Sequence, residues 1–131
     1  MMNNNSLEPK LFRLIDANLN RLKEGIRVVE DIQRYIFENK NIASQLKNLR
    51  HQATYDDERL LQYRDIKGDV LKESIPSEEQ RSNIQALLQA NIKRAQEAAR
   101  VLEECFKLLD AKQSQRFKTI RYELYDIEKK L

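Results

Sequence analysis

The chain has 131 residues, 40% of them hydrophobic and 34% charged, with a formal net charge of +3, which suits one domain with a buried core. Two glycines, two prolines, one cysteine and one histidine exclude turn-rich β architectures, glycine-rich phosphate or dinucleotide loops, intrachain disulfides, thiolate zinc clusters and multi-histidine metal sites. No apolar run exceeds three residues and no block of five like charges occurs, so a soluble cytoplasmic protein is expected, with no membrane span, no secretory leader and no nucleic-acid partner.

Residues 1–6 are polar and patternless and residues 1–8 are expected to form a flexible tail, with Pro9 suited to a first helical turn. Ile15, Leu19, Leu22, Ile26, Val29 and Ile36 then recur at steps of mostly three and four, predicting a helix over Pro9–Glu38 with one apolar stripe. Asn39-Lys40-Asn41 breaks the pattern before a second helix carrying Ile42, Leu46, Leu49, Ala53, Leu60 and Leu61. Residues 64–76 form the one long connection, with Gly68 free to take a positive φ. Ser77 with Gln80 three residues on reads as a capping box opening a third helix, whose stripe is Leu88, Ile92, Ala95, Ala99, Leu102, Phe106 and Leu109. Near Lys112–Ser114 this yields to a fourth helix with Phe117, Ile120, Leu124, Ile127 and Leu131.

The two long helices repeat one another. Shifted by 73 positions, Ala17, Asn18, Arg21, Glu24, Arg27, Val28 and Glu30 fall on identical residues at 90, 91, 94, 97, 100, 101 and 103. A weaker echo at an offset of 71 sets Leu49-Arg50 against Ile120-Arg121. The pattern predicts an all-α fold, an antiparallel four-helix bundle built from two duplicated helical hairpins (9–63 and 77–131, connector 64–76) with pseudo-two-fold symmetry. The alternatives are a two-helix arm that completes its core by dimerising, or a homodimer of bundles.

Most of the repeated identities are polar, and they supply the candidate site. With Leu22 at the centre of the buried face, Asn18 lies about 40° away and Arg21 about 100°, one turn apart on one flank, as are Asn91 and Arg94. Arginine grips phosphate in bidentate fashion and asparagine can read an amide or aminopyrimidine edge. Equally, each Asn could cap a carbonyl or fix register across the bundle. Glu24, Arg27 and Asp31, with Glu97, Arg100 and Glu104, are expected on the opposite face as exposed salt bridges, the alternatives being an interface or a surface metal site. In the connector, Asp65 and Asp69 could hold Mg²⁺, or could simply bond to nearby backbone N–H groups in a surface turn. His51 reads as an amphipathic helix residue and Cys105 as a small hydrophobe.

Ile15-Asp16-Ala17-Asn18-Leu19-Asn20-Arg21 with Glu24-Gly25-Ile26-Arg27-Val28-Val29-Glu30-Asp31 resembles the opening of a helical domain of bacterial thiamine biosynthesis. The Arg64-Asp65…Gly68-Asp69-Val70 loop, the Ala90–Glu104 segment and the closing Arg121-Tyr122…Tyr125-Asp126 extend the likeness over about Leu11–Ile127. That domain is often found N-terminal to a thiamine-phosphate synthase barrel and is regarded as an alternative hydroxymethylpyrimidine-phosphate kinase. The resemblance implies ATP-dependent phosphorylation of the pyrimidine phosphate to its diphosphate. Asn18, Arg21, Arg64, Asn91 and Arg94 are then substrate-binding candidates, and Asp65 and Asp69 serve catalysis through Mg²⁺ or the attacking hydroxyl. The chain ends soon after the fourth predicted helix, so no synthase activity is carried over, although a thiamine-phosphate synthase domain is an expected partner. Leu71 departs from the family pattern, which has glycine there. A non-catalytic module that binds a thiamine intermediate or docks to the synthase is the competing expectation.

Overall fold

The structure, a computed structural model, describes residues 4–76 and 80–131. Among them the chain forms α1 (Asn4–Asp31), a π-helical turn (Ile32–Ile36), α2 (Lys40–Gln52), the short α3 (Arg59–Gln62), α4 (Ile84–Phe106) and α5 (Ala111–Glu128), with no strands. The all-α expectation holds, and the four long helices pack as a bundle. α1 lies against α2 and α4, and α5 closes on α4 and α2. Short connections make α1/α2 and α4/α5 antiparallel pairs. Contacts from Arg116 to the carbonyls of Gln52 and Thr54, and from Lys130 to Gln45, run α2 antiparallel to α5. α1 and α4 are therefore antiparallel as well.

The stripes read from the sequence form the core. Ile15, Leu22, Ile26, Leu46, Leu49, Leu88, Ile92, Leu102 and Ile120 are almost completely buried. Each stabilises the fold by about 1.5–3 kcal/mol relative to leaving it in water. An aromatic cluster seals one end, with Tyr55 edge-on to Phe106 at 4.7 Å and Phe106 stacked on Phe117 at 5.4 Å.

Several boundaries differ from expectation. α1 starts at Asn4, so residues 4–8 are helical and Pro9 lies inside the helix. Leu7 packs on the core and the Glu8 carboxylate pairs with Arg59, and these contacts hold the extra turn. At its other end α1 widens: the Phe37 N–H reaches back five residues to the Ile32 carbonyl at 3.1 Å. This π turn rotates the register, burying Ile32 and leaving the predicted stripe residue Ile36 57% exposed. Glu38 then takes φ 52° and lets the Asn39 N–H close onto the Gln33 carbonyl at 2.8 Å.

The predicted second helix is two. α2 stops at Gln52, where Arg116 satisfies carbonyls at its C-terminal end, and Leu61 on α3 faces solvent. Ser77 lies outside the described residues and Gln80 precedes the third long helix rather than capping it. That helix begins at Ile84, with the extended Asn83 accepting the Ala86 N–H at 2.8 Å. Asparagine at an N-cap satisfies an orphan donor that the segment before it leaves unmet. α4 ends at Phe106, so Leu109 is outside it and half exposed, and Asp110 caps α5 through the Lys112 N–H at 2.9 Å.

Candidate functional site

Two of the polar grooves beside α1 share residues of that helix. The first, of about 750 Å³, lies between α1 and the connector. Its base is an ion pair: the Arg64 guanidinium donates to both oxygens of Asp16 at 2.7 Å. Asp16 is 7% exposed, and a buried carboxylate needs such a partner. The pairing pushes the Arg64 pKa further up, the hydrogen bond being the main cause. This bidentate fork anchors the start of the connector to α1. The Arg13 guanidinium adds a long contact to the Asp65 carbonyl at 3.5 Å.

The two connector aspartates build the loop as a surface turn does. Asp65 Oδ1 accepts the Gly68 N–H at 2.8 Å and Asp69 Oδ1 accepts the Leu71 N–H at 3.0 Å. Gly68 does not use its freedom to take a positive φ. A Cβ there would meet the Asp65 carboxylate, 2.9 Å from its Cγ, so a larger residue would have to displace that exposed side chain from its bond to the residue-68 N–H. Leu71 points to solvent. Both aspartates line the groove, and each has a second carboxylate oxygen beyond the one bonded to backbone. No set of three or more metal-ligating side chains occurs among the described residues. A Mg²⁺ that keeps most of its waters and takes one or two carboxylates plus substrate phosphates fits this donor set.

The second groove, about 650 Å³, follows the α1–α4 seam. Here the structure brings together both repeated Asn/Arg pairs: Asn18 and Arg21 with Asn91 and Arg94. Asn18 and Asn91 are buried, and each donates through Nδ2 to the carbonyl one turn back on its own helix, Leu14 at 3.0 Å and Leu87 at 2.9 Å. The carbonyl-capping alternative is thus what the amide nitrogens do. Neither Oδ1 accepts a hydrogen bond from the described residues, so both remain open to the groove. Arg21 and Arg94 are exposed and form no ion pair with any described residue.

Gly25 makes the seam tight. A Cβ on it would sit 2.9 Å from the Asn91 carbonyl oxygen and 3.2 Å from the Ala95 Cβ. Glu24 and Glu97 line this groove rather than the opposite face, whereas Arg27–Asp31 at 3.2 Å and Arg100–Glu104 at 3.1 Å are the exposed i,i+4 pairs expected of them. Asn18 and Arg21 belong to both grooves, so the connector residues Arg64, Asp65 and Asp69 meet the Asn/Arg set there.

Sequence reasoning missed Asp16, Lys10, Arg13 and Lys72. Asp16 sits within the motif that carries the resemblance, but its partner is 48 positions away and no local pattern announces it. His51 is exposed at the end of α2, and Cys105 is buried in the core, where burial pushes its thiol pKa up.

The chain is an all-helical domain with a polar seam made from matching segments of two helices. The ThiD2 family matches residues 13–130, and the chain belongs to that family. Among curated proteins it is similar to a thiamine-phosphate synthase of Nostoc sp. (strain PCC 7120 / SAG 25.82 / UTEX 2576), 42% identical over 127 residues covering 95% of this chain and 36% of the relative. It is also similar to a thiamine-phosphate synthase of Synechocystis sp. (strain ATCC 27184 / PCC 6803 / Kazusa), 42% identical over 118 residues covering 88% of this chain and 34% of the relative. The chain thus spans about a third of the length of these relatives. No solved structure matches it. No helix among the described residues is long and apolar enough to cross a membrane.

Proposed function

We propose that this protein acts in thiamine biosynthesis as an ATP-dependent kinase that converts hydroxymethylpyrimidine phosphate to its diphosphate. The observation that carries this reading is the meeting of the two grooves at Asn18 and Arg21. A two-substrate transfer needs adjoining compartments and cations where phosphates converge, more than covalent chemistry. The nucleophile is an oxygen of the acceptor phosphate, which as the dianion carries no proton. It forms a bond to the γ-phosphorus, the bond from that phosphorus to the β–γ bridging oxygen breaks, and ADP leaves with the electron pair. Charge is conserved with no proton transferred, so no general base is required. Asp65 and Asp69 are assigned to the cation rather than to an attacking hydroxyl. Mg²⁺, when bound, neutralises charge on the transferring phosphates. Arg21 and Arg94 orient the acceptor phosphate, and Asn18 and Asn91 accept from an exocyclic amine.

Purified protein incubated with ATP, Mg²⁺ and the pyrimidine monophosphate, with thiamine-phosphate synthase added to convert the diphosphate, tests the reading. Product that needs both ATP and Mg²⁺ is expected. Unchanged turnover in folded Arg21→Ala or Asp69→Ala protein would remove that residue from its role.

A second reading rests on a different observation: Ile66, Val70 and Leu71 of the connector are 74%, 93% and 86% exposed. Apolar side chains presented this way suit docking to another protein, and the relatives are thiamine-phosphate synthases about three times as long as this chain. A module that binds the pyrimidine phosphate and passes it to the synthase would give no ATP-dependent product in the same assay.

A further inference from the structure

The two grooves differ in charge, and the difference separates their ligands. Around the connector groove, five cationic side chains (Lys10, Arg13, Arg21, Arg64 and Lys72) face three carboxylates, an excess of two positive charges. One carboxylate, Asp16, is already neutralised by Arg64. Lys10, Arg21 and Lys72 form no ion pair with any described residue, so their charge is free to act on a ligand. In the helix groove Arg21 and Arg94 are balanced by Glu24 and Glu97. Its distinguishing groups are the open amide oxygens of the otherwise buried Asn18 and Asn91, which accept hydrogen bonds and repel anionic oxygens.

A polyphosphate gains most where positive charge is in excess, and a heterocycle bearing an amino group and a single phosphate suits a balanced groove with carbonyl acceptors. Resting on the kinase reading above, we infer that the nucleoside triphosphate binds between α1 and the connector. The pyrimidine monophosphate binds along the α1–α4 seam, one molecule per chain, held by residues from both repeated segments. Arg21 belongs to both grooves and bridges the donor and acceptor phosphates.

The assignment is tested by direct titration of the full chain, without turnover. The probes are the β,γ-imido analogue of ATP with Mg²⁺ and, separately, the pyrimidine monophosphate alone. Lys72→Ala is expected to weaken the nucleotide analogue about tenfold and to leave the pyrimidine within about twofold. Arg94→Ala should do the reverse, and Arg21→Ala should weaken both. All three side chains are exposed, and unchanged circular dichroism verifies folding. Pyrimidine should bind the unmodified protein with a stoichiometry of one. Two equivalents of pyrimidine, the opposite pattern for Lys72 and Arg94, or equal loss of both ligands in each variant would overturn the assignment while leaving the kinase reading intact. Binding of the nucleotide with none of the pyrimidine would overturn the acceptor half of the assignment and the kinase reading together.

Discussion

Glu103 and Arg121 show how far a single buried charge can matter. Arg121 donates through Nε at 3.0 Å and Nη2 at 2.8 Å to one Glu103 oxygen, and both side chains are under one-tenth exposed. The guanidinium also lies 4.9 Å from the centre of the Tyr122 ring. Removing one partner of such a pair leaves the other desolvated and uncompensated. Arg121→Met should therefore cost about 3 kcal/mol, read as a lower urea midpoint with an unchanged slope. A loss below about 1 kcal/mol would mean that water reaches Glu103 and the pair is not a structural anchor. The matching pair, Glu30 with Arg50 at 2.6 Å, has a more open arginine, 20% exposed, and should be less sensitive. Glu38 is a different case. A non-glycine residue at φ 52° costs about 1 kcal/mol or more, because its Cβ crowds the following carbonyl. Glu38→Gly should raise the thermal midpoint by roughly 2 °C, since the relief exceeds the added unfolded-chain entropy by about 0.5 kcal/mol. An unchanged or lower midpoint would mean that Glu38 makes compensating interactions.

At the scale of helices, Gly25 sets the distance between α1 and α4. Alanine is intrinsically better than glycine inside a helix by about 1 kcal/mol, so propensity alone favours Gly25→Ala. The new Cβ would meet the Asn91 backbone carbonyl, which cannot swing aside as a flexible side chain can. Separating the helices unpacks Leu22, Ile26, Ile92 and Ala95 on either side of the contact. Overpacking of this kind costs about 1–3 kcal/mol, so Gly25→Ala should be net destabilising by about 1 kcal/mol. It should also widen the seam that holds Asn18 and Asn91, and denaturant titration checks the sign. The sequence carried the apolar stripes of all four long helices because burial repeats at helical spacing. It did not carry the π turn at Ile32–Ile36, the break after Gln52 or the start at Ile84, each decided by side-chain-to-backbone bonds or by packing from distant elements. Gly25 looked merely solitary, because close approach is a property of two helices and not of one.

For the molecule as a whole, the site was half legible. The Asn/Arg identities at 18, 21, 91 and 94 stood out because polar residues, unlike an apolar stripe, have no need to repeat for packing, and the fold does bring them to one seam. Asp16, Lys10 and Lys72 did not stand out, since the connector's path along α1 is fixed by one long-range fork from Arg64. Ion pairs of this sort also tie the elements together, and that makes stability depend on acid. The Asp57 carboxyl is held below its ordinary 3.8 chiefly by the hydrogen bond from Arg59 on α3. The Glu128 carboxyl on α5 is held below 4.5 chiefly by Gln96 and then by Lys93, both on α4. For groups with depressed values, the stabilisation is fully present above the unfolded-chain value and is lost as pH falls through the folded one. The urea midpoint should accordingly be flat near about pH 7 and fall on acidification to about pH 3. Glu128→Gln cannot titrate and should flatten that decline while lowering the midpoint at neutrality, because the Lys93 pair goes and the Gln96 bond becomes a neutral one. Equal acid sensitivity in the variant and the parent would show that the α4–α5 contact through Glu128 does not contribute to the decline.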